Sequence, residues 1–390
     1  MKDLRTWLTV YSYWNQGGLG NVVSMFLYLV RESFTLPAPA PPPAEVVETP
    51  ATGLLHPARP GHYFGTTGEY LEWYRREGPL RDDRTAPTVA LLLYRKHVIT
   101  GQPYVPELIS KMEAEGLRPL PIFINGVEGH TVVRDALTTT HEQALLRQGR
   151  PTSPTLKSDA ALVDAVVNTI GFPLVGGPAG TMEGGRQADV AKAILAAKNV
   201  PYVVAAPLLI QDMASWVDDG VAGLQSVVLY SLPELDGAID TVPLGGLVGD
   251  AIHLVPERVT RLASRLRKWI SLRRTPAAER RLAILLYGFP PGVGATGTAA
   301  LLNVPKSLER LLGALRAEGY DLGPAAEAVD GEALVTALKL QEDQRAILEG
   351  AEGIRKRCGS GPVLVLFLEV AFEGACCGDG GICRYGRLGL

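Results

Sequence analysis

The residues of this chain that could carry chemistry are few, and their types narrow the possibilities at once. Six histidines, His56, His62, His97, His130, His141 and His253, occur without H-E-x-x-H or any other compact metal-ligand spacing. His97 and His130 each follow a predicted strand, and Glu128 stands two residues before His130. Two strand-end loops could therefore present an imidazole base and a carboxylate at one sheet edge, although ordinary loop residues would look the same. The four cysteines, Cys358, Cys376, Cys377 and Cys383, all fall in the last stretch and lack paired Cys-x-x-Cys spacing, so they do not suggest a zinc or iron–sulfur site. No G-x-S-x-G elbow is present, and hydrolase chemistry is not expected.

Two glycine-rich turns could hold a ligand. Gly292, Gly294 and Gly297 match G-x-G-x-x-G between a predicted strand and helix, where backbone N–H groups could meet a phosphate. Pro290 and Pro291 intrude before the glycines and Pro305 interrupts the following helical pattern. No acidic residue sits about 20 positions on at the end of a second strand, as a ribose reader should, so a shaped ligand or interface loop fits better than a dinucleotide site. The second turn, 172–180, contains Gly176 and Gly177 and follows a strand, at the carboxyl edge where open sheets place ligands; tight strand-to-helix geometry alone would ask for the same glycines. His97, Glu128, His130, Gly176, Gly177, Gly292, Gly294 and Gly297 are thus candidate binding positions, and no residue is assigned a catalytic or metal-ligating role. A P-loop is absent, so any use of ATP would have to come from a partner.

The elements that must position these residues read as α/β. The chain has 390 residues, 46% apolar and 20% charged, enough for two or three domains with buried cores. Its formal charge of −3 offers no field for nucleic acid, and no apolar run is long enough to span a bilayer. With no leader-like start, a cytoplasmic location is expected. Residues 1–36 carry apolar positions at helical spacing. Residues 37–87 read as a proline-rich linker, with eight prolines in 37–60. From 88 to 256, short apolar runs alternate with helical stretches in the manner of parallel βαβ units. Strands are expected at 89–94, 120–124, 166–170 continuing to 173–175, 202–206 and 227–230. Residues 257–280 form a basic connecting helix, docked through Val259, Leu262, Leu266, Trp269 and Ile270. Residues 281–357 open a second, partial α/β unit, since Ala-Ile-Leu-Leu-Tyr at 283–287 echoes Ala-Leu-Leu-Leu-Tyr at 90–94. Residues 358–390 form an atypical Cys- and Gly-rich tail, and the abrupt change of composition there reads as a frameshift or a broken gene copy.

The segments 94–104 (YRKHVITGQPY), 123–128 (FINGVE), 170–179 (IGFPLVGGPA), 200–208 (VPYVVAAPL), 232–240 (LPELDGAID) and 289–300 (FPPGVGATGTAA) closely resemble the large H subunit of magnesium chelatase, bacterial type. Cobaltochelatase large subunits are similar more distantly. The resemblance implies a Rossmann-like parallel-sheet fold, one unit complete and one partial. It also implies protoporphyrin IX and magnesium as substrates in (bacterio)chlorophyll biosynthesis, with ATP used by the partner I and D subunits. The family's large subunits are much longer, and their Phe-Gly-Thr-His-Gly motif is missing here. At 63–69 (YFGTTGE) Thr67 stands where that motif has histidine, so no catalysis is carried over. The expectation is a fragment that is inactive alone. The alternatives are a non-catalytic tetrapyrrole- or partner-binding module and a cobaltochelatase-like subunit.

Overall fold

The computed structural model describes residues 2–35, 40–125, 129–150, 152–175, 184–287, 298–299, 302–322, 330–335 and 363–368. The chain divides into two units, Met1–Ser271 and Leu272–Leu390.

The first unit is built on β3 (Thr88–Tyr94), whose residues are all buried except Tyr94. Its side chains alternate between two cores: Val89, Leu91 and Leu93 enter one, Ala90 and Leu92 the other. A strand buried on both faces belongs in the middle of a parallel sheet covered by helices on each side. Around it lie β1 (Gly53–Leu55), β2 (Tyr63–Phe64), β4 (Arg118–Ile124), β7 (Ala165–Asn168), β8 (Tyr202–Val204) and β9 (Asp240–Thr241), in the order β2-β1-β4-β3-β7-β8-β9. β5 (Leu137–Thr138) and β6 (Ala161–Leu162) pair separately. From β4 to β9 all neighbours are parallel, and β1 joins β4 antiparallel. Counted along the chain, the parallel strands run 2-1-3-4-5, a doubly wound order whose direction reverses between β3 and β7.

Helix α5 (Tyr104–Ala114) and helix α12 (Pro256–Arg274) cover one face, through Leu108, Ile109 and Met112 and through Val259, Leu262 and Leu266. The basic helix is docked as its spacing predicts, except that Trp269 is only half-buried, its indole N–H reaching Asp240 at 3.4 Å. The opposite face is covered by α3 (Thr67–Glu77), α6 (Gly129–Asp135) and α8 (Gly184–Lys198).

Proline at 119 and 121 inside β4 looks incompatible with a central strand. The Tyr70 hydroxyl donates to the Pro119 carbonyl at 3.1 Å, which places that residue's backbone groups on the side away from β3. Pro121, two residues on, faces the same way, and β1 reaches only Ile122 and Phe123. No ladder bond is lost. Gly53 allows this short pairing, since a Cβ there would lie 2.8 Å from the Phe123 ring.

Several expectations are corrected. The segment 37–87 is not a linker throughout: residues 53–77 supply β1, β2 and α3, and only the stretch near the prolines is irregular. That stretch straps a hairpin of two helices, α1 (Lys2–Gln16) and α2 (Leu19–Ser33), where one helical segment was expected. Proline leaves it few donors, and those of Ala44 and Val47 bond Ser24 and Asn21. Residues 227–230 are helical, in a π-type turn Val227–Ser231, because only Leu229 among them is buried; the next sheet strand is β9 instead. Short apolar runs do not distinguish the two conformations. Residues 173–175 continue as loop and turn. In the second unit Pro305 does not break a helix but sits in the first turn of α13 (Val304–Ala317), capped by Asn303, where a missing N–H costs nothing. Part of the atypical tail, Val363–Leu368, pairs parallel with Leu282–Tyr287.

One buried ion pair ties together neighbouring elements on the face of the sheet covered by α6 and α8. Lys198, at the end of α8 and 1% exposed, bonds both carboxylate oxygens of Glu142 at 2.9 and 2.7 Å and donates to the carbonyls of Arg134 and Leu137. Glu142 lies in α7 (Thr140–Arg147), whose capping residue Thr139 donates to the Lys198 carbonyl. Removing one member leaves a buried charge alone, so Lys198→Met is expected to lower stability by about 3–5 kcal/mol in urea denaturation. Adding Glu142→Leu recovers part of this, with about 1–3 kcal/mol still lost because two carbonyls remain without a donor.

Candidate functional site

The carboxyl ends of β3 and β7 diverge where the winding reverses, and the loops that leave them meet there. After β3 the chain enters the short helix α4 (Arg95–Ile99), which carries His97. Its ring packs edge-on against Tyr94 at 5.2 Å and Tyr104 at 5.5 Å, and Tyr94 packs in turn against Phe172 at 6.1 Å. Phe172 belongs to the loop after β7, which Asn168 holds in place. The buried Asn168 amide donates to the Phe172 carbonyl and the Tyr202 hydroxyl at 2.9 Å each, and its oxygen accepts from the Ile170 N–H. Gly171 sits at φ +83°, and a side chain there would press on Leu209 at 2.7 Å. The loop after β4 joins the same place, because the His130 N–H donates to the Leu174 carbonyl at 3.2 Å.

His97 is 7% exposed, and its Nδ1 shares a 2.8 Å hydrogen bond with the Tyr104 hydroxyl. Burial, with some help from the charge of Lys96, pushes its pKa down to about 4. It is therefore neutral at ordinary pH: a hydrogen-bonding and stacking group, and a weak proton acceptor. The ring lines a cavity of about 350 Å³ formed with the chain connecting β1 to β2 and with α5. Leu55, Tyr63, Val98 and Val105 make its walls largely apolar, and Arg59, His62 and Gln102 bring polar groups to it. A mostly apolar hollow with a few converging polar groups is what small-molecule sites present. One wall is rigid. The His56 Nδ1 accepts from the Ala58 N–H, so its Nε2–H donates to Glu113 at 3.1 Å, and the same carboxylate oxygen accepts from the Tyr74 hydroxyl at 2.6 Å.

Of the positions singled out from sequence, the structure places His97 in α4 after β3 and His130 in the first turn of α6, whose backbone N–H reaches the loop after β7. Glu128, Gly176, Gly177, Gly292, Gly294 and Gly297 lie outside the described residues. Among the described residues, no group of three or more His, Cys, Asp or Glu could hold a metal ion, and no helix is long and apolar enough to cross a membrane. Sequence reasoning missed Tyr94, Phe172 and Asp236. The first two lie in segments already noticed, 94–104 for its resemblance and 172–180 for its glycines, and aromatic residues flanking a strand end were the available signal. Asp236 had none, since it comes from α11 (Leu232–Asp236), far along the chain.

Asp236 is buried, and its Oδ2 accepts from the Leu174 N–H at 2.6 Å. Burial pushes its pKa up to about 6 from the ordinary 3.8, against the lowering effects of the Leu174 and Val175 N–H groups and the nearby Lys192. Between these two values the folded chain holds the proton that the unfolded chain has released, so this residue's contribution to stability falls as pH rises through that window. Asp236→Asn keeps an acceptor and removes the ionisation. The variant is expected to melt with the wild type near pH 4 and to exceed it near pH 7 by about 1–2 kcal/mol, reduced by the solvent that reaches the cleft edge. Thermal melts across that range check this.

Comparison with known proteins agrees on one lineage. The family described as CobN/Magnesium Chelatase matches residues 11–360. The H subunit of magnesium chelatase from Chlorobaculum parvum is 39% identical over 327 residues, covering 84% of this chain and 24% of its own length. The chloroplastic ChlH subunit of magnesium chelatase from Oryza sativa is 33% identical, over 82% of this chain and 22% of its own. Among solved structures, the catalytic subunit of cobaltochelatase from Mycobacterium tuberculosis superposes with a TM-score of 0.54 at 28% identity, over 85% of this chain and 25% of that one. The chain thus spans about a quarter of the length of these relatives.

Proposed function

Because the chain belongs to the CobN/magnesium chelatase family, we propose that it forms the part of an H-type subunit that receives one edge of a tetrapyrrole during ATP-dependent insertion of magnesium into protoporphyrin IX. The observation that carries this reading is the neutral, aromatic-flanked His97 lining an apolar hollow beside the carboxyl end of β3, against the β1–β2 connection and α5. A porphyrin edge is flat and apolar and bears carboxylates. Tyr63 and the walls of the hollow would pack on it, and Arg59 would face a carboxylate. His97, neutral at working pH, orients by hydrogen bonding and does not take the pyrrole protons.

No step of metal delivery or ATP hydrolysis is assigned to these residues. In the proposed setting, the partner I and D subunits supply ATP turnover, in the cytoplasm, in the service of (bacterio)chlorophyll biosynthesis and photosynthesis. The chain alone is expected to bind without converting its ligand. A cobaltochelatase-type role is the second reading, favoured by the M. tuberculosis structural match.

Titrating the purified chain with protoporphyrin IX should give saturable quenching of tryptophan fluorescence and a shifted Soret band. His97→Ala should weaken binding by roughly tenfold or more, equivalent to about 1.4 kcal/mol. A wild-type titration with no saturation would overturn the proposal. Tighter binding of a corrin-type macrocycle than of protoporphyrin IX would favour the second reading.

A further inference from the structure

Both helices of the N-terminal hairpin carry an exposed apolar face. Tyr13 on α1 and Asn21, Ser24 and Met25 on α2 are buried on the inner side. Turned away from them, at helical spacing, stand Leu4, Trp7, Tyr11 and Trp14 on α1 and Leu19 and Phe26 on α2, each at least half exposed; Trp14 reaches 68% and Leu19 81%. A contiguous apolar stripe of this size on a surface helix marks a face that meets a partner. Trp7 and Tyr11 are already stacked, with ring centroids 5.2 Å apart and planes 13° from parallel, so a flat aromatic surface is preformed.

We propose that this face is a self-association surface, on which a second copy of the chain docks through the same hairpin about a two-fold axis. The area fits. At the exposures given, these six side chains offer on the order of 800 Å² of largely apolar surface, more than the patch of roughly 300–600 Å² usual on a monomer. It matches the roughly 800 Å² that each partner of a standard-size complex buries. The chemistry also fits a like partner, because the stripe holds no charge and meets no repulsion against itself. A lipid surface fits less well: Lys2, Arg5 and Arg31 are offset by Asp3 and Glu32, so the hairpin lacks the basic face that interfacial helices present. The resulting arrangement is a four-helix bundle with two helices from each copy.

Sedimentation velocity of the full chain from roughly 1 to 100 µM tests this. A reversible monomer–dimer equilibrium is expected, weakened at least ~100-fold in Trp7→Glu/Trp14→Glu, with the circular dichroism spectrum unchanged. Phe26→Glu, on the other helix, is expected to act in the same direction. A monomer throughout the range, a dimer indifferent to all three substitutions, or a ladder of larger species would each overturn the proposal. So would a monomer that binds anionic phospholipid vesicles through these residues.

Discussion

A strand buried on both faces constrains everything that follows it. Val89 to Leu93 are wholly inaccessible to water, so each neighbour must pair in parallel and each crossover must lay a helix on one face or the other. Crossovers wound outward in both directions from β3 put α5 on one side and α8 on the other. Where the two windings part, the loops after β3 and β7 meet through Tyr94, which packs against both His97 and Phe172.

The polar groups near that edge are spent on holding loops. Asn168 pins the loop after β7, and Asp236 braces it from α11. Arg95 is a buried cation whose donors go to the carbonyls of Pro50 and Thr49 and to Gln16, so it ties the proline strap and the helical hairpin to the end of β3. With these groups committed, the hollow beside His97 is left largely apolar.

The parallel sheet was legible because β3, β4 and β8 are continuous apolar runs of strand length, and α5 and α12 were legible from their apolar spacing. β1 and β2 were hidden by proline-rich surroundings and by being three and two residues long. Residues 227–230 misled because β-branched residues favour strands only when neighbours pack on both sides, and here Leu229 alone is buried. His97 and His130 could be chosen as strand-end residues. Their aromatic and carboxylate neighbours could not, because Phe172 and Asp236 reach the site through sheet order and an intervening helical segment. Burial decides the protonation of His97 and Asp236, and spacing in a sequence carries little of that information.

The two prolines of β4 bear on how the chain avoids its own kind during synthesis. The outer edge of that strand offers no N–H at 119 or 121, and the Tyr70 hydroxyl occupies the carbonyl beside them. An extended segment from another unfolded chain that approached this edge would find donors missing over half its length and could not propagate a ladder along it. β1 closes the one stretch, Ile122–Phe123, where pairing is possible. This side of β4 therefore carries its own stop against intermolecular strand addition, written into backbone chemistry and independent of surface charge.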